Sequence, residues 1–343
     1  MRTYAAYTET NVRKKCSSGG IFPLFAKVIL KEKGIVYGVR MSSDCKRAEY
    51  VRIDREQDLP LLLGSKYIQA DMGDSFCNIK ADLNNKKTVL FTGCGCQVNG
   101  LKKFLGKDYS NLYCMDVICH GVPSPKLWEM YVQYQQDRHK SKLIQVNFRC
   151  KDHGWNKYGI KRAYQNKKSC FTPKSIDPYM VMFLDNLSLR PSCYNCVVKT
   201  KKLSDISVGD FWGIDKIMPS MNDSQGVSAV IIRSDKGKKL WDFIKKKLVY
   251  SEVRYEDVIL ENIAEYKSVP CPSKREEFFS DLNWLNFEQL NDKYGVSRGE
   301  KILFYTKSAV KRTLAIFRKN KCSSGGGHGL ILDFYLFLKD KMK

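Results

Sequence analysis

The feature that most constrains this chain is an order of elements. Between Ile21 and Cys119, segments with one apolar helical face alternate with short apolar runs, and turn residues mark the joints. IFPLFAKVILKEKG reads as a helix ended by Gly34, and IVYGVRM as the strand after it. A helix over Glu56 to Leu63 follows, then the loop GSKYIQA, then a helix near Asp74 to Leu83 that leads into the strand TVLFT. The theme repeats as a helix from Leu101 to Leu105, a turn at Gly106, a strand from Leu112 to Cys119 and a helix from Lys126 to Arg138. Such alternation is that of an α/β protein, whose helices cover a sheet.

Beyond a soft boundary near Lys140 the pattern changes. LIQVNFRCKDHGW and the stretch to Tyr164 are β-rich, and ISVGDFWGI and VSAVIIRS read as strands among loops rich in Gly, Asp and Pro. From Arg298 to Lys343 there are eleven Lys or Arg against three Asp or Glu, and CSSGGGHG separates two helical patterns. The expectation is an α/β fold with a mixed sheet and flanking helices, a β-rich second half and a helical basic tail. Its domains are 1–140, 141–290 and 291–343.

No apolar run approaches the roughly 20 residues that span a bilayer. The stretch MRTYAAYTETNVRKKCSSGG lacks the apolar core of a secretory signal, so a reducing cytoplasm is expected, where cysteines stay thiols or bind metals. The 13 cysteines are odd in number and irregular in spacing, which argues against a disulfide framework. The net charge of +23 suits an acidic protein partner, a polyanionic cofactor or an anionic membrane. It lies mostly in Lys runs of the solvated-face kind, so no specific nucleic acid is expected. The last helix, LILDFYLFLKDKMK, leaves room for peripheral contact with an anionic membrane.

Chemistry concentrates in cysteines. Cys193 and Cys196 have the C-x-x-C spacing that brings two thiolates to one metal centre, as zinc ribbons and iron–sulfur sites do. No second pair follows at zinc spacing, so further ligands come from elsewhere. Cys94 or Cys96 after TVLFT, and Cys119 after YCMDVI, lie at the carboxyl ends of consecutive strands, where open α/β sheets place their sites. One cysteine from each strand end plus the C-x-x-C makes four thiolates, the set a [4Fe–4S] cube takes. Cys114 reads as a buried strand residue, and Cys45, Cys77, Cys150, Cys170, Cys271 and Cys322 as structural or surface thiols. SSGG before a helix offers free N–H groups to phosphate, and GSKYIQ carries a hydroxyl, a cation and an aromatic of the kind that meet a nucleotide.

Taken in order, KKCSSGGIF, GSKYIQAD, VLFTGCGCQVNGLKKFL, DVICHGVPSPKLW, NFRCKDHGW, LRPSCYNC and SDISVGDFWGI resemble the coenzyme F(420) hydrogenase/dehydrogenase beta-subunit family from about Tyr4 to Asp215. The resemblance implies an oxidoreductase that binds FAD and one [4Fe–4S] cluster and passes electrons between the cluster, the flavin and an organic two-electron substrate. It implies Cys96, Cys119, Cys193 and Cys196 as cluster ligands, and Ser17, Ser18, Gly19, Gly20, Ser65, Lys66, Tyr67, Gln69, Thr92 and Gly93 at the flavin. Lys66, His120 and Arg149 are candidates to assist catalysis.

Three departures stand out. Cys16 replaces the first serine of S-S-S-G-G, Cys94-Gly95 replaces the T-P of T-P-C-Q, and Cys150 replaces the aspartate of F-R-D-K. Cys94 therefore stands where relatives carry no ligand. The chain has no ferredoxin-like C-x-x-C-x-x-C-x-x-x-C-P run, so electrons are expected from a separate carrier protein or a small organic redox substrate. Short bacterial relatives often accompany cell-surface polysaccharide genes, which suggests a role in such a pathway. The rival reading is a zinc-binding, basic protein that binds partners or nucleic acid and catalyses nothing.

Overall fold

The computed structural model describes residues 1–297, 299–304 and 306. Met1–Gly295 form one compact unit and Val296–Lys343 a second. Most of the expected basic tail, with Cys322 and LILDFYLFLKDKMK, lies outside the described residues.

Nine strands of the first unit form one mixed sheet. In spatial order they are β12 (Val249–Val253), β1 (Arg2–Tyr7), β11 (Ser228–Ile232), β10 (Ile206–Asp210), β6 (Leu112–Val117), β5 (Val89–Cys94), β2 (Ile35–Met41), β3 (Ala48–Ile53) and β4 (Ala70–Asp71). The strands β2, β5, β6 and β10 run parallel. β11 is antiparallel to both β10 and β1, so β1 points the same way as β10. The sheet thus draws strands from both sides of residue 140. A separate antiparallel sheet consists of β7 (Leu143–Cys150), β8 (Gly159–Tyr164) and β9 (Ser169–Pro173).

β2 and β5 begin with fully buried, mainly apolar runs because helices cover both faces. On one face Val36, Leu90, Met115 and Val230 pack with Phe25 and Ile29 of helix Ile21–Lys31 and with Trp241 of helix Asp235–Ile244. On the other, Tyr37, Val89, Phe91 and Cys114 pack with Ile79 of helix Ser75–Asn84 and Leu101 of helix Gly95–Leu105. Alternate residues of each strand serve opposite cores, as the pleat requires. A third core joins the small sheet to helix Pro125–His139 through Trp128, Tyr131 and Phe148.

The mixed α/β fold agrees with the sequence reading, and three local features differ from it. RTYAAY is a strand, β1, although two alanines give it little intrinsic strand signal; partners on both sides and burial of Tyr4, Ala5 and Ala6 supply the stability. Glu56–Leu62 is a 3-10 helix with Pro60 inside it, where the missing N–H limits regular α-helix. The helix ending at Leu105 starts at Gly95, its first turn hidden in the sequence by glycine and polar residues.

Candidate functional site

The carboxyl ends of β1, β2, β5, β6 and β10 share one edge of the sheet, and the loops after β5 and β6 bring Cys94, Cys96 and Cys119 to it. β5 ends at Cys94 and the next helix begins at Gly95, so Cys94 and Cys96 straddle a strand–helix junction. A Cβ on Gly95 would lie 2.4 Å from Val198 Cγ1 and 2.9 Å from Asp116 Oδ2. Lack of space therefore fixes glycine here, and it lets the junction press against the segment after Cys196. Just upstream, Thr92 Oγ1 donates to the Tyr37 carbonyl at 3.1 Å, and a Cβ on Gly93 would lie 2.2 Å from the Tyr50 hydroxyl. The Gln97 side chain accepts from Tyr50 and from the Cys94 N–H, each at 2.8 Å, and so caps the helix.

Cys119 follows β6. The Cys94 thiol donates to its sulfur, and that bond first, then the Lys199 ammonium and the Gly121 N–H, hold Cys119 below the usual thiol range against burial. The same bond, together with burial, pushes Cys94 well up. Lys199 Nζ is fixed in place by the Cys119 carbonyl at 2.6 Å and by the Ala264 carbonyl. Cys193 closes the single turn Pro191–Cys193, and Cys196 opens the next, Val197–Lys199. Burial raises Cys193, partly offset by a bond from the Val122 N–H. The Cys196 N–H donates to Ser268 Oγ at 2.9 Å.

Cys96 is an exposed residue whose sulfur still feels its neighbours: desolvation first, then the fields of Cys119, Cys196 and Cys193, push it up to about 11. Cys94, Cys96, Cys119, Cys193 and Cys196 thus converge on one place. Among the described residues, no group of three or more His, Cys, Asp or Glu side chains is disposed to hold a metal ion. Of the other thiols, Cys45, Cys114 and Cys150 are buried, Cys16 and Cys170 half-buried, and Cys77 and Cys271 exposed.

A second cluster gathers around Arg149 at the end of β7. Its Nη2 donates to Asp210 Oδ1 at 2.8 Å and to the Ser17 carbonyl at 3.3 Å, and its Nη1 to the Tyr67 hydroxyl at 3.4 Å. The guanidinium also lies over the Tyr158 ring, 3.8 Å from its centroid. Burial opposes its charge, but Asp210, then Tyr67 and Tyr158, raise its pKa. Arg149 Nε is buried and has no hydrogen-bond partner. Asp210 also accepts from Trp155 Nε1 at 2.6 Å, and Trp155 stacks on Trp212 with centroids 4.8 Å apart.

The loop before helix Ile21–Lys31 closes this cluster. Ser17 Oγ lies 2.8 Å from Ser65 Oγ and accepts from the Ser65 N–H at 2.8 Å, which joins the SSGG and GSKY segments. Ser18 Oγ donates to the Val227 carbonyl, and the Gly19 N–H donates to Ser228. Gly20 has φ +80°, a conformation that favours glycine. Lys151 Nζ clips the loop by donating to the carbonyls of Arg13 and Gln225, both at 2.8 Å, and of Ser18 at 3.3 Å. Burial pulls Lys151 down to about 8 and pushes Cys16, its neighbour, up to about 11. Lys66 donates to the carbonyls of Leu63 at 2.9 Å and Leu61 at 3.3 Å, and burial pulls it down to about 7. Gln69 is half-buried two residues beyond Tyr67.

His120 connects the two clusters. Its ring meets Phe183 edge-on at 5.3 Å, and Phe183 lies 5.2 Å from Tyr67. Burial lowers His120, so the imidazole is neutral at pH 7, and its buried Nε2 has no partner. The structure thereby gathers Ser17, Ser65, Tyr67 and Arg149 in one cluster and the cysteines in another, while Thr92 and Gly93 are engaged with Tyr37 and Tyr50. Sequence reasoning did not single out Asp210, Lys151, Trp155 or Trp212. Asp210 could have been found as a carboxylate ending an apolar strand at the site edge. Nothing in the sequence marks Lys174, which stands 4.3 Å over Tyr158.

Comparison with known proteins adds two findings. Residues 86–257, half of the chain, match the family described as the C terminus of the coenzyme F420 hydrogenase/dehydrogenase beta subunit. The fold is similar to a chain in the xenon-derivatised F420-reducing [NiFe] hydrogenase complex from Methanosarcina barkeri, with a TM-score of 0.53 and 16% identity over 77% of this chain and 87% of that one. At that identity the likeness speaks for the fold alone. No curated protein sequence is significantly similar to the chain.

Proposed function

The chain belongs to the coenzyme F420 hydrogenase/dehydrogenase beta-subunit family, and from that premise we propose that it is an iron–sulfur flavoprotein oxidoreductase with two adjoining redox sites at the carboxyl edge of its sheet. The observation that supports the reading is that Cys96, Cys119, Cys193 and Cys196, brought by three loops, lie close enough to act on one another's charge, with His120 between them and the Arg149 cluster.

The residues fit both groups by their chemistry. A [4Fe–4S] cube takes thiolates set wider apart than a single tetrahedral ion does, and its sulfurs favour peptide N–H donors and nearby cations. Cys119 has the Gly121 N–H and Lys199, and Cys193 the Val122 N–H and Arg190. In the neighbouring cluster the buried, unpartnered Arg149 Nε and the hydroxyls of Ser17, Ser65 and Tyr67 suit an anionic, hydrogen-bonding cofactor such as FAD. When bound, FAD couples one-electron exchange with the cluster to two-electron exchange with an organic substrate.

Each protein group has a task in this reading. Arg149 holds negative charge and is itself held by Asp210. Lys66, near its titration midpoint at neutral pH, holds or releases a proton at Nζ. Neutral His120 offers Nε2 as a hydrogen-bonding group between the thiol loop and Tyr67. Cys94 supports Cys119 by donating to it.

The test is anaerobic purification followed by iron, acid-labile sulfide, zinc and flavin analysis. About four irons and one FAD per chain are expected. Zinc with neither iron nor flavin would overturn the reading in favour of a binding module.

A further inference from the structure

Away from both clusters, one thiol sits beside a histidine. Cys170 lies in β9, the edge strand of the small sheet, opposite Arg162 of β8. Its Sγ is 3.9 Å from Nε2 of His139, the last residue of helix Pro125–His139. A thiol and an imidazole at hydrogen-bonding separation are the two parts of an activated sulfur nucleophile. The ring is held in place from one side. Tyr164 packs against it with centroids 4.3 Å apart, and the Tyr164 hydroxyl donates to Gln135 Oε1 of the same helix at 3.3 Å. Burial first, then Arg162, Arg138 and Lys168, lower the His139 pKa, so the imidazole is neutral at pH 7 and one of its nitrogens can accept a proton.

The surroundings are open and cationic. Cys170 is half-buried, which on an edge strand leaves it within reach of a small molecule. The two segments that meet here, 138–142 and 164–171, carry Arg138, Lys140, Lys142, Lys167 and Lys168, all exposed, and no acidic residue. Arg162 is already engaged by Asp177, Tyr131 and Thr172. Arg138 and Lys168 are therefore the cations beside the dyad that remain to meet an incoming anion.

We propose that Cys170 is a modification site, a thiol that exchanges with low-molecular-weight disulfides bearing carboxylates, with His139 as its base. His139 takes the Cys170 proton, and the thiolate attacks one sulfur of the disulfide. A new S–S bond forms as the old one breaks, and the departing thiolate takes the proton from His139. The oxidising equivalents stay in the mixed disulfide while half of the reagent leaves as a thiol, so the exchange needs no other oxidant. Arg138 and Lys168 select the reagent by drawing its carboxylates.

The full chain, purified anaerobically, is treated with oxidised glutathione at neutral pH, and the adducts are mapped over time by peptide mass spectrometry. Cys170 is expected to gain the glutathionyl group about tenfold or more faster than the exposed thiols Cys77 and Cys271. This ranking is read in the parent protein, so it stands whether or not a variant folds. His139→Gln should slow Cys170 by about tenfold or more with both oxidised glutathione and the uncharged hydroxyethyl disulfide. Arg138→Ser with Lys168→Ser should slow the reaction with oxidised glutathione alone. Equal rates at Cys170, Cys77 and Cys271, a Cys170 rate unchanged in folded His139→Gln, or equal slowing of both disulfides by the paired serine changes would overturn the proposal.

Discussion

The sulfurs of the thiol loops are held mainly by peptide N–H groups and by one another, with Lys199 beside Cys119, whereas the Arg149 guanidinium is held mainly by side chains, a carboxylate, a phenol and the face of a tyrosine ring, with the Ser17 carbonyl besides. The thiol loops lie partly at the surface, with Cys96 exposed; Arg149 is buried. A group presented by backbone at a surface can be changed without dismantling its surroundings, because the peptide donors remain. A buried charge held by side chains cannot, because removing one partner leaves the other without water or counter-charge. Damage to the first region should therefore register in what the protein binds, and damage to the second in whether it folds.

The largest effect should come from the thiols. Cys119→Ser is expected to lose most of the iron while shifting the thermal midpoint little, and Cys94→Ser to keep it; equal iron loss in both would mean that the two thiols share one role. Asp210→Asn should cost about 3–5 kcal/mol by leaving Arg149 uncompensated, read from the urea midpoint, with Trp155 and Trp212 fluorescence as the local probe. If Asp210→Asn unfolds no more easily than the parent, the contrast between the regions fails.

A smaller effect belongs to the contact between the strand–helix junction and the C-x-x-C segment. Gly95→Ala should destabilise by about 1–3 kcal/mol through overpacking on Val198, and Val198→Ala should recover part of the loss in a double-mutant cycle. The smallest is chemical. Lys66 should react with an amine-directed acylating reagent with a midpoint about 7, and FAD should protect it. Because its folded pKa lies below the unfolded value, the unfolded chain binds the extra proton between the two, so this group makes stability rise with pH above about 7. Lys66→Met should flatten that rise.

The two regions also differed in how well they could be read from sequence. Cysteine is scarce and chemically specific, so spacing and strand ends were enough to suggest that Cys119 and the C-x-x-C pair meet one of the cysteines after TVLFT. The alternation of helix and strand likewise displayed the α/β class. The Arg149 cluster is built from common residue types far apart in sequence, and Asp210 or Lys151 acquires its meaning only when β10 and β7 are brought to the same place. β1 was missed for a related reason. Its strand character comes from β11 and β12 on either side and not from its own residues.

That strand has a consequence in time. Arg2 pairs with Ile232, so about 230 residues must be synthesised before β1 finds its partner on β11. At about 5–20 residues per second, that interval lasts from roughly ten seconds to the better part of a minute. The Lys151 clip on the loop after β1 likewise needs the Gln225 carbonyl. The earliest segment made is thus among the last to be fixed, and loading of any group held by Ser17 to Gly20 belongs to the end of the chain's assembly.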